Sequence, residues 1–244
     1  MRLPPPTRAV ALLLAAAALS GCQSITLNNT AQLRFIDASP DAGSLDAYQN
    51  NTGFAYNLGF GTVTSYVPMQ PGSYALSADK SSTRQTLAAA TVGLAPGHQY
   101  TAIVGNIAAN MQLALYPDQT QPAPAGEIAV RILHQATRAG GVDVYLVPKS
   151  GRLTGTSPTA VNLNFGANSG YLMMPAGNYA IDVVPTGTTL VSSTTTLLSG
   201  AQIEYDAGSV RTIVLIDQES LTVQHPALTP GVQAIVATDV EASN

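Results

Sequence analysis

Four short segments of this chain occur twice in the same order, and this duplication constrains the fold more than any other feature. The matching pairs are Leu33–Ile36 with Val130–Leu133, Asp41–Tyr48 with Arg138–Tyr145, Asn57–Gly61 with Asn162–Gly166, and Pro71–Leu76 with Ala176–Ile181. Because the pairs agree in residue type and order, we interpret them as two copies of one module. The spacing grows from 97 residues at Arg34 and Arg131 to 105 at Gly72 and Gly177, so the second copy carries eight extra residues. We place them in the Gly- and Thr-rich segment Lys149–Thr159, where a longer loop costs little.

Each copy has the composition of short strands separated by turns. Thr, Ser, Val and Tyr are frequent, and Pro-Gly, Ala-Gly and Ser-Gly pairs interrupt the runs. The expected strands of the first copy are Gln32–Asp37, Leu45–Tyr48, Val63–Val67, Ser73–Ala78, Gln85–Val92, Gln99–Asn106 and Gln112–Tyr116. Those of the second are Glu127–His134, Val142–Val147, Tyr171–Met174, Asn178–Val184, Ser193–Leu198, Gln202–Tyr205, Arg211–Asp217 and Leu221–Gln224. The sequence therefore predicts an all-β fold of two tandem antiparallel β-sandwich domains after an N-terminal signal helix.

The run LRFIDASPD at residues 33–41, followed by Asp46 and Tyr48, resembles the opening of a bacterial secreted domain family of unknown function. The later Pro71–Tyr74 resembles a second strand motif of that family. The second copy departs from the pattern, with the run HQATR at residues 134–138. The resemblance covers residues 31–217 and implies an immunoglobulin-like sandwich at a cell envelope. It carries no catalytic residues with it.

The N-terminus has the layout of an export signal. Arg2 and Arg8 precede an apolar run, Ala9–Leu19. This run is too short to span a hydrocarbon layer roughly 30 Å thick. Leu19, Ser20 and Gly21 then precede Cys22 and resemble the lipobox of bacterial lipoproteins. We therefore predict cleavage before Cys22 and acylation of its thiol, palmitate being one of the expected chains.

Lipidation at Cys22 predicts the compartment. Cys22 is the one cysteine of the chain, so it cannot form an intrachain disulfide. Several acyl chains on one residue make a durable anchor. Gln23 follows where an aspartate would favour inner-membrane retention in Gram-negative lipoproteins, so the outer membrane is favoured, on either its periplasmic or its exposed face. The tether from Cys22 to the first strand reaches at most roughly 30 Å.

The predicted organisation follows from these features. The segments are a lipoprotein signal peptide at 1–21, a lipidated tether at 22–30, a first β-sandwich repeat at 31–117, a Pro-rich linker at 118–126, a second β-sandwich repeat at 127–225 and a C-terminal tail at 226–244. The tail has at most one strand, near Val232–Ala237.

Charge and histidine content exclude several function classes. Only 10% of residues are charged and the formal net charge is −4, so we expect no nucleic-acid partner, which would need a basic surface. His98, His134 and His225 are isolated from one another, and no Gly-x-Ser-x-Gly motif is present. We therefore predict no catalytic residue, no cofactor and no metal ligand set.

Asp37, Asp41 and Asp46 surround the first turn and form a tentative ligand loop. Several carboxylates on one loop could hold Ca²⁺. The alternative is that Asp41 caps the turn. Because Arg138 replaces Asp41 in the second copy, whereas Asp46 recurs as Asp143, we favour the capping interpretation.

Repeated tyrosines are expected in the core or at turns. The pairs are Tyr48 with Tyr145, Tyr66 with Tyr171, and Tyr74 with Tyr179. The chain has no tryptophan, so core or turn positions fit the repeated tyrosines better than an aromatic platform for sugars. We expect a non-enzymatic, membrane-anchored envelope lipoprotein with a binding, adhesion or structural role, whose partner is an envelope protein or a glycan. The alternative is an enzyme or enzyme accessory acting on cell-wall or extracellular polymer through the loops Asp37–Asp46 and Lys149–Thr159.

Overall fold

The computed structural model of the protein describes residues 29–218 and 231–242. The strands of the first repeat are β1 (Ala31–Asp37), β2 (Leu45–Gln49), β3 (Thr52–Leu58), β4 (Val67–Met69), β5 (Gly72–Lys80), β6 (Thr86–Leu94), β7 (Gln99–Gly105) and β8 (Gln112–Asp118). Those of the second are β9 (Glu127–His134), β10 (Val142–Pro148), β11 (Ala160–Leu163), β12 (Asn168–Pro175), β13 (Gly177–Pro185), β14 (Leu198–Tyr205), β15 (Val210–Asp217) and β16 (Val232–Val240). Short 3₁₀ turns lie at Ala108–Asn110 and Leu153–Gly155.

Within the described residues the all-β prediction is confirmed, and their strands form four sheets of four. The first repeat has the orders β4-β1-β7-β8 and β3-β2-β5-β6, and the second has β12-β9-β15-β16 and β11-β10-β13-β14. The pairs β1–β7 and β9–β15 are parallel, and the other pairs are antiparallel. The second repeat therefore matches the first strand for strand.

The strand order differs from the expected immunoglobulin-like one. In a constant-type immunoglobulin domain the first two strands are neighbours in one sheet. Here β1 and β2 lie in different sheets, and β1 has β4 and β7 as neighbours. The connection from β1 to β2 therefore crosses from one sheet to the other. The equivalent connection from β9 to β10 does the same in the second repeat.

Each repeat has an apolar core between its two sheets. In the first repeat, Leu33 and Phe35 of β1 pack in the same cluster as Leu45 of β2 and Leu76 of β5. The equivalent cluster of the second repeat includes Ile132. Alternate residues of each strand point into these cores, as the pleat of a strand requires.

A further apolar cluster joins the two repeats. Ile36 and Ile103 project from the other face of the sheet β4-β1-β7-β8 and cluster with Leu133, Val214 and Ile216 of the second repeat. The two repeats are therefore packed sheet against sheet, and β1, β7, β9 and β15 are buried on both faces.

The two edge strands β3 and β11 were not predicted from sequence. The chain reaches β3 through a two-residue turn at Asn50 and Asn51, which have positive φ angles of 45° and 65°. Such a turn matches the twist of a tight hairpin. The expected strand at Val63–Val67 is instead the shorter β4, and Val63 forms an isolated bridge with Ile36.

The end of the chain adds a complete strand to the second repeat. In the segment that the sequence assigns to a tail, β16 pairs with β15 along its whole length. In the predicted linker, the N–H of Ala123 donates to the carbonyl oxygen of Gly208 at 3.0 Å, so this segment lies against the second repeat.

Several sequence predictions lie outside the described residues. These are the signal peptide, Cys22, the cleavage-site residues Leu19, Ser20 and Gly21, the strand Leu221–Gln224 and His225. Within residues 29–218 and 231–242, no helix is long and apolar enough to cross a membrane.

Candidate functional site

The most extensive group of buried charges lies between the two repeats. We call it the reciprocal cluster, and its members are Arg34, Tyr66, Thr101, Asp118, Arg131, Tyr171, Thr212 and Asp239. Both arginines and both aspartates are less than a tenth exposed. Charged side chains at this depth require partners, since an unpaired buried charge is strongly destabilising.

Arg34 reaches from the first repeat into the second. Its Nε donates to the hydroxyl of Thr101 in its own repeat at 2.8 Å. Its Nη1 donates to the carbonyl oxygen of Thr238 at 2.8 Å, and its Nη2 forms an ion pair with Asp239.

Arg131 makes the same contacts in the opposite direction. Its Nε donates to Thr212 in its own repeat at 3.2 Å. Its Nη1 donates to the carbonyl oxygen of Pro117 at 2.9 Å, and its Nη2 pairs with Asp118. The two repeats therefore exchange arginine–aspartate pairs about an approximate two-fold axis.

The hydroxyl groups of each repeat complete the cluster. Tyr66 and Thr101 donate to Oδ2 of Asp118 at 2.8 and 2.7 Å, and Tyr171 and Thr212 donate to Oδ2 of Asp239, both at 2.7 Å. The guanidinium carbons of Arg34 and Arg131 lie 4.8 Å from the ring centroids of Tyr66 and Tyr171. Burial and the nearby aspartates raise the pKa of both tyrosines, so both stay protonated as donors. The cluster is fully paired and has the geometry of a structural joint.

The joint fixes how the repeats are oriented. Arg34 and Arg131, near the middle of β1 and of β9, meet in one cluster. Gly105, at the end of β7, lies so close to Gln135, just past β9, that an added Cβ would be 2.2 Å from the Gln135 amide oxygen. Since β7 is parallel to β1, the strands β1 and β9 start at one end of the molecule and finish at the other. We call the end where they start the entry end.

Each repeat has a recess at the entry end. The first recess has a volume of about 380 Å³ and is lined by Gln49, Asn50, Thr52, Pro68, Met69, Gln70 and Tyr74. The second has a volume of about 510 Å³ and is lined by Pro148, Lys149, Ser150, Ala176, Gly177, Asn178 and Tyr179. Met69 pairs with Ala31 at the start of β1, and Pro175 pairs with Glu127 at the start of β9. Both recesses therefore open at the entry end.

The two recesses are built from equivalent elements. Each lies between the β2–β3 or β10–β11 connection and the turn before β5 or β13. The hydroxyl groups of Tyr74 and Tyr179 donate to the carbonyl oxygens of Gln70 and Pro175 at 2.7 and 2.8 Å. These repeated tyrosines brace a turn and also form part of a recess wall.

The tentative ligand loop does not assemble into one site. Asp41 accepts a hydrogen bond from the N–H of Ala108 at 2.6 Å. Asp37 is buried and accepts from the N–H of Ser39 at 2.9 Å, and burial raises the pKa of Asp37 to about 7. No group of three or more His, Cys, Asp or Glu side chains in the described ranges could hold a metal ion.

Asp46 and its equivalent Asp143 hold a backbone turn. They accept hydrogen bonds from the N–H groups of Asn57 and Asn162 at 2.8 and 2.7 Å. Both asparagines have positive φ angles, 53° and 51°, which asparagine tolerates better than most residues. Burial alone would raise the pKa of Asp46, but the hydrogen bonds from Asn57 and Ser81 help to lower it. The recurrence of this pair therefore reflects turn geometry.

The two described histidines are not placed for catalysis. His98 is exposed, and its Nδ1 lies 2.9 Å from the carbonyl oxygen of Pro96. His134 is buried between the N–H of Ala136 and the carbonyl oxygen of Gly140, and burial lowers its pKa. Neither ring is hydrogen-bonded to a hydroxyl group within the described residues.

The outer face of the second sheet differs between the repeats. In the second repeat, Tyr145, Val147 and Val184 are covered by Leu153 and Leu190 from two long loops. In the first repeat the connection after β2 has only two residues, and Tyr48 on this face is buried by other side chains. Tyr48 there contacts Tyr56, which is 63% exposed, with ring centroids 6.2 Å apart, and Arg84 lies over the Tyr48 ring at 5.3 Å.

Sequence reasoning identified Arg34 and Arg131 as repeated residues but did not assign them a role. Two signals could have revealed it. Uninterrupted apolar runs such as Ile213–Ile216 are typical of strands buried on both faces. An arginine inside such a strand needs a buried partner, and Asp118 and Asp239 end or nearly end the last strand of each repeat.

Comparison with known proteins gives one family match. Residues 31–145 match the family model described as Domain of unknown function (DUF4397). The match spans the first repeat, β9 and the first part of β10, and it supports the resemblance to a domain family of unknown function. No curated protein matches the chain.

Two solved structures show distant similarity. A family 41 carbohydrate-binding module from a streptococcal virulence factor, reported for α-glucan recognition, superposes with a TM-score of 0.26 at 9% identity, over 71% of this chain and 88% of that chain. The tip fimbrial protein Mfa3 from Porphyromonas gingivalis, with a C-terminal truncation, gives a TM-score of 0.24 at 8% identity, over 86% of this chain and 99% of that chain. At these TM-scores neither similarity carries an argument about function.

Proposed function

We propose that this protein is a non-enzymatic binding module of the bacterial cell envelope, anchored to the membrane through an acylated Cys22. The observation that carries the proposal is the pair of equivalent recesses at the entry end, held in fixed relation by the reciprocal cluster. A rigid body with two openings on one side is suited to holding a partner.

The chemistry of the described residues favours binding over turnover. Members of the reciprocal cluster are saturated with hydrogen bonds and lie inside the molecule. The recesses are lined mainly by amide, hydroxyl and small apolar groups, with Lys149 as the one charged lining residue. A hydrolase would need a nucleophile beside a base in such a recess. A turnover activity that depends on one serine or carboxylate would overturn the non-enzymatic proposal.

The anchor rests on the sequence. Residues 19–22 resemble a lipobox, and Gln23 favours the outer membrane. The entry end is where β1 begins, so the short tether from Cys22 leads to the same end as both recesses. The proposal therefore places the recesses toward the anchoring membrane, on its periplasmic or its exposed face.

Metabolic labelling with an alkyne palmitate analogue tests the anchor. The wild-type chain should carry the label and sediment with membranes. Cys22→Ala should lose both the label and the membrane association. The control variant Gln112→Ala, which leaves Cys22 in place, should keep both. A labelled or membrane-bound Cys22→Ala protein would contradict lipidation.

In-cell photo-crosslinking tests the binding role. A photoreactive residue at Gln70 or Ser150 samples the two recesses, and one at Gln112 samples the opposite end of the molecule. We expect an envelope component to be captured from the recess positions and not from Gln112. Equal capture from all three positions would show that the recesses are not the binding sites.

A further inference from the structure

The lining of the two recesses indicates what kind of ligand they suit. Gln49, Gln70 and Asn178 contribute side-chain amides, and Thr52 and Ser150 contribute hydroxyl groups. Amides and hydroxyls both donate and accept hydrogen bonds, as the hydroxyl groups of a sugar do. The amides of Gln49, Gln70 and Asn178 make no hydrogen bond to another described residue, so they are available to a ligand.

The rest of the lining is mostly uncharged and partly apolar. Pro68 in the first recess, and Pro148 and Ala176 in the second, offer surfaces for the C–H face of a sugar ring. Among the described lining residues Lys149 is the one charged side chain, and it belongs to the second recess. A strongly charged ligand would therefore leave its charge without a partner in the first recess.

The two recesses are open depressions of about 380 and 510 Å³. Each can therefore contact one side of one or a few sugar units without enclosing them. Because the reciprocal cluster fixes both recesses at the entry end, one polymer chain or two neighbouring chains can engage them together.

From these observations we infer that the two recesses bind uncharged sugar units of an envelope or extracellular polysaccharide, and that they act as a bivalent pair. The inference rests on the proposed binding function and specifies its partner class. Each recess alone binds a sugar weakly, and joining two sites in one rigid body raises the affinity for a polymer without new contacts.

The test uses the full lipidated chain in detergent micelles. The probes are three neutral polysaccharides, namely an α-glucan, a β-glucan and a galactomannan, with polygalacturonate as an anionic comparator and glucose, mannose and galactose as single sugars. Affinity electrophoresis and calorimetry measure binding. We expect at least one neutral polysaccharide to bind at least about tenfold more tightly, per sugar site, than the corresponding single sugar.

Variants separate the two recesses. Gln70→Ala and Asn178→Ala should each weaken polysaccharide binding by about tenfold or more, and together they should abolish it. Gln112→Ala, an exposed amide at the opposite end, and Asn110→Ala are the matched controls and should bind as the wild type does. Thermal melting of each variant establishes that it is folded.

Three results would overturn the inference. These are failure of all three neutral polysaccharides to bind, preference for polygalacturonate, and unchanged binding in the Gln70→Ala/Asn178→Ala variant. If crosslinking from Gln70 and Ser150 still captured an envelope protein in those cases, the binding module would stand and the sugar assignment alone would fail. If neither crosslinks nor polysaccharide binding were found, both would fail.

Discussion

Asp37 and His134 occupy equivalent positions, at the last residue of β1 and of β9. Each accepts a hydrogen bond from the N–H two residues later, Asp37 from Ser39 at 2.9 Å and His134 from Ala136 at 3.2 Å. One turn geometry is thus held by an acid in one repeat and by a base in the other. Burial raises the pKa of Asp37 to about 7 and lowers that of His134.

These two side chains make stability depend on pH in opposite directions. For Asp37 the folded pKa lies above the unfolded value of 3.8, so its contribution to stability is lost as pH rises from about 4 to about 7. For His134 the folded pKa lies below the unfolded value of 6.5, so stability is lost as pH falls below about 6.5.

Relative to the wild type, Asp37→Asn should therefore make the free energy of unfolding rise more, or fall less, as pH increases from about 4 to about 7, because the contribution of Asp37 is removed. His134→Asn should change the pH dependence in the opposite direction below about pH 6.5. Each unit of pKa difference is worth about 1.4 kcal/mol. Urea unfolding of the wild type and both variants between pH 4 and pH 8 measures these changes, and changes of the same sign in the two variants would contradict the prediction.

The buried ion pairs make a second prediction for single residues. Arg34→Met leaves Asp239 buried without its cation and should lower the free energy of unfolding by about 3 to 5 kcal/mol. Arg211→Met is the control, because its partner Glu241 has a side chain that is 75% exposed, and it should cost at most about 1 kcal/mol. Similar losses in the two variants by urea unfolding would show that the reciprocal cluster is not a buried joint.

The elements of the fold were only partly predictable from sequence. Strands with repeated motifs, such as β1, β5, β9 and β13, were placed correctly because their apolar residues recur in both repeats. The edge strands β3 and β11 were missed because half or more of their residues are at least partly exposed, so little apolar patterning marks them. The sequence placed the insertion at Lys149–Thr159, but it did not predict that Leu153 of this loop covers the outer face of the sheet.

That cover gives a prediction for the second repeat. Leu153→Ala and Leu190→Ala should each lower the free energy of unfolding by about 1 kcal/mol, less than the 2 to 5 kcal/mol of a fully buried leucine, because both are partly buried. Val191→Ala, in the same loop as Leu190 but at a residue that is 53% exposed, should change the free energy of unfolding by at most about 0.5 kcal/mol. Equal effects at the three positions would mean that the loops do not shield the sheet.

The whole molecule behaves as one body because the repeats share a core. The sequence predicted two domains joined by a Pro-rich linker, and it did not predict that they pack together. Arg34 and Asp239 are 205 positions apart in the chain. Their ion pair forms only when the two complete repeats have been placed against each other. No local pattern in the chain encodes such a contact.

Calorimetry should therefore show one cooperative unfolding transition, with equal calorimetric and van't Hoff enthalpies. The variant Arg34→Met/Arg131→Met removes both exchanged pairs and should separate the melting into two transitions or broaden it. Two resolved transitions in the wild-type protein would contradict a shared core.

The contact between Gln135 and Gly105 shows what the covalent link between the repeats permits. The equivalent residues on the other side of the axis are Ala38 and Ile216. The long side chain of Gln135 therefore faces a glycine on one side, whereas the small Ala38 lies in the same cluster as the larger Ile216 on the other. Two identical chains meeting about the same axis would carry every substitution twice and could not make these different choices. In a tandem chain each substitution occurs once, so the two halves can keep a symmetric joint while they diverge elsewhere.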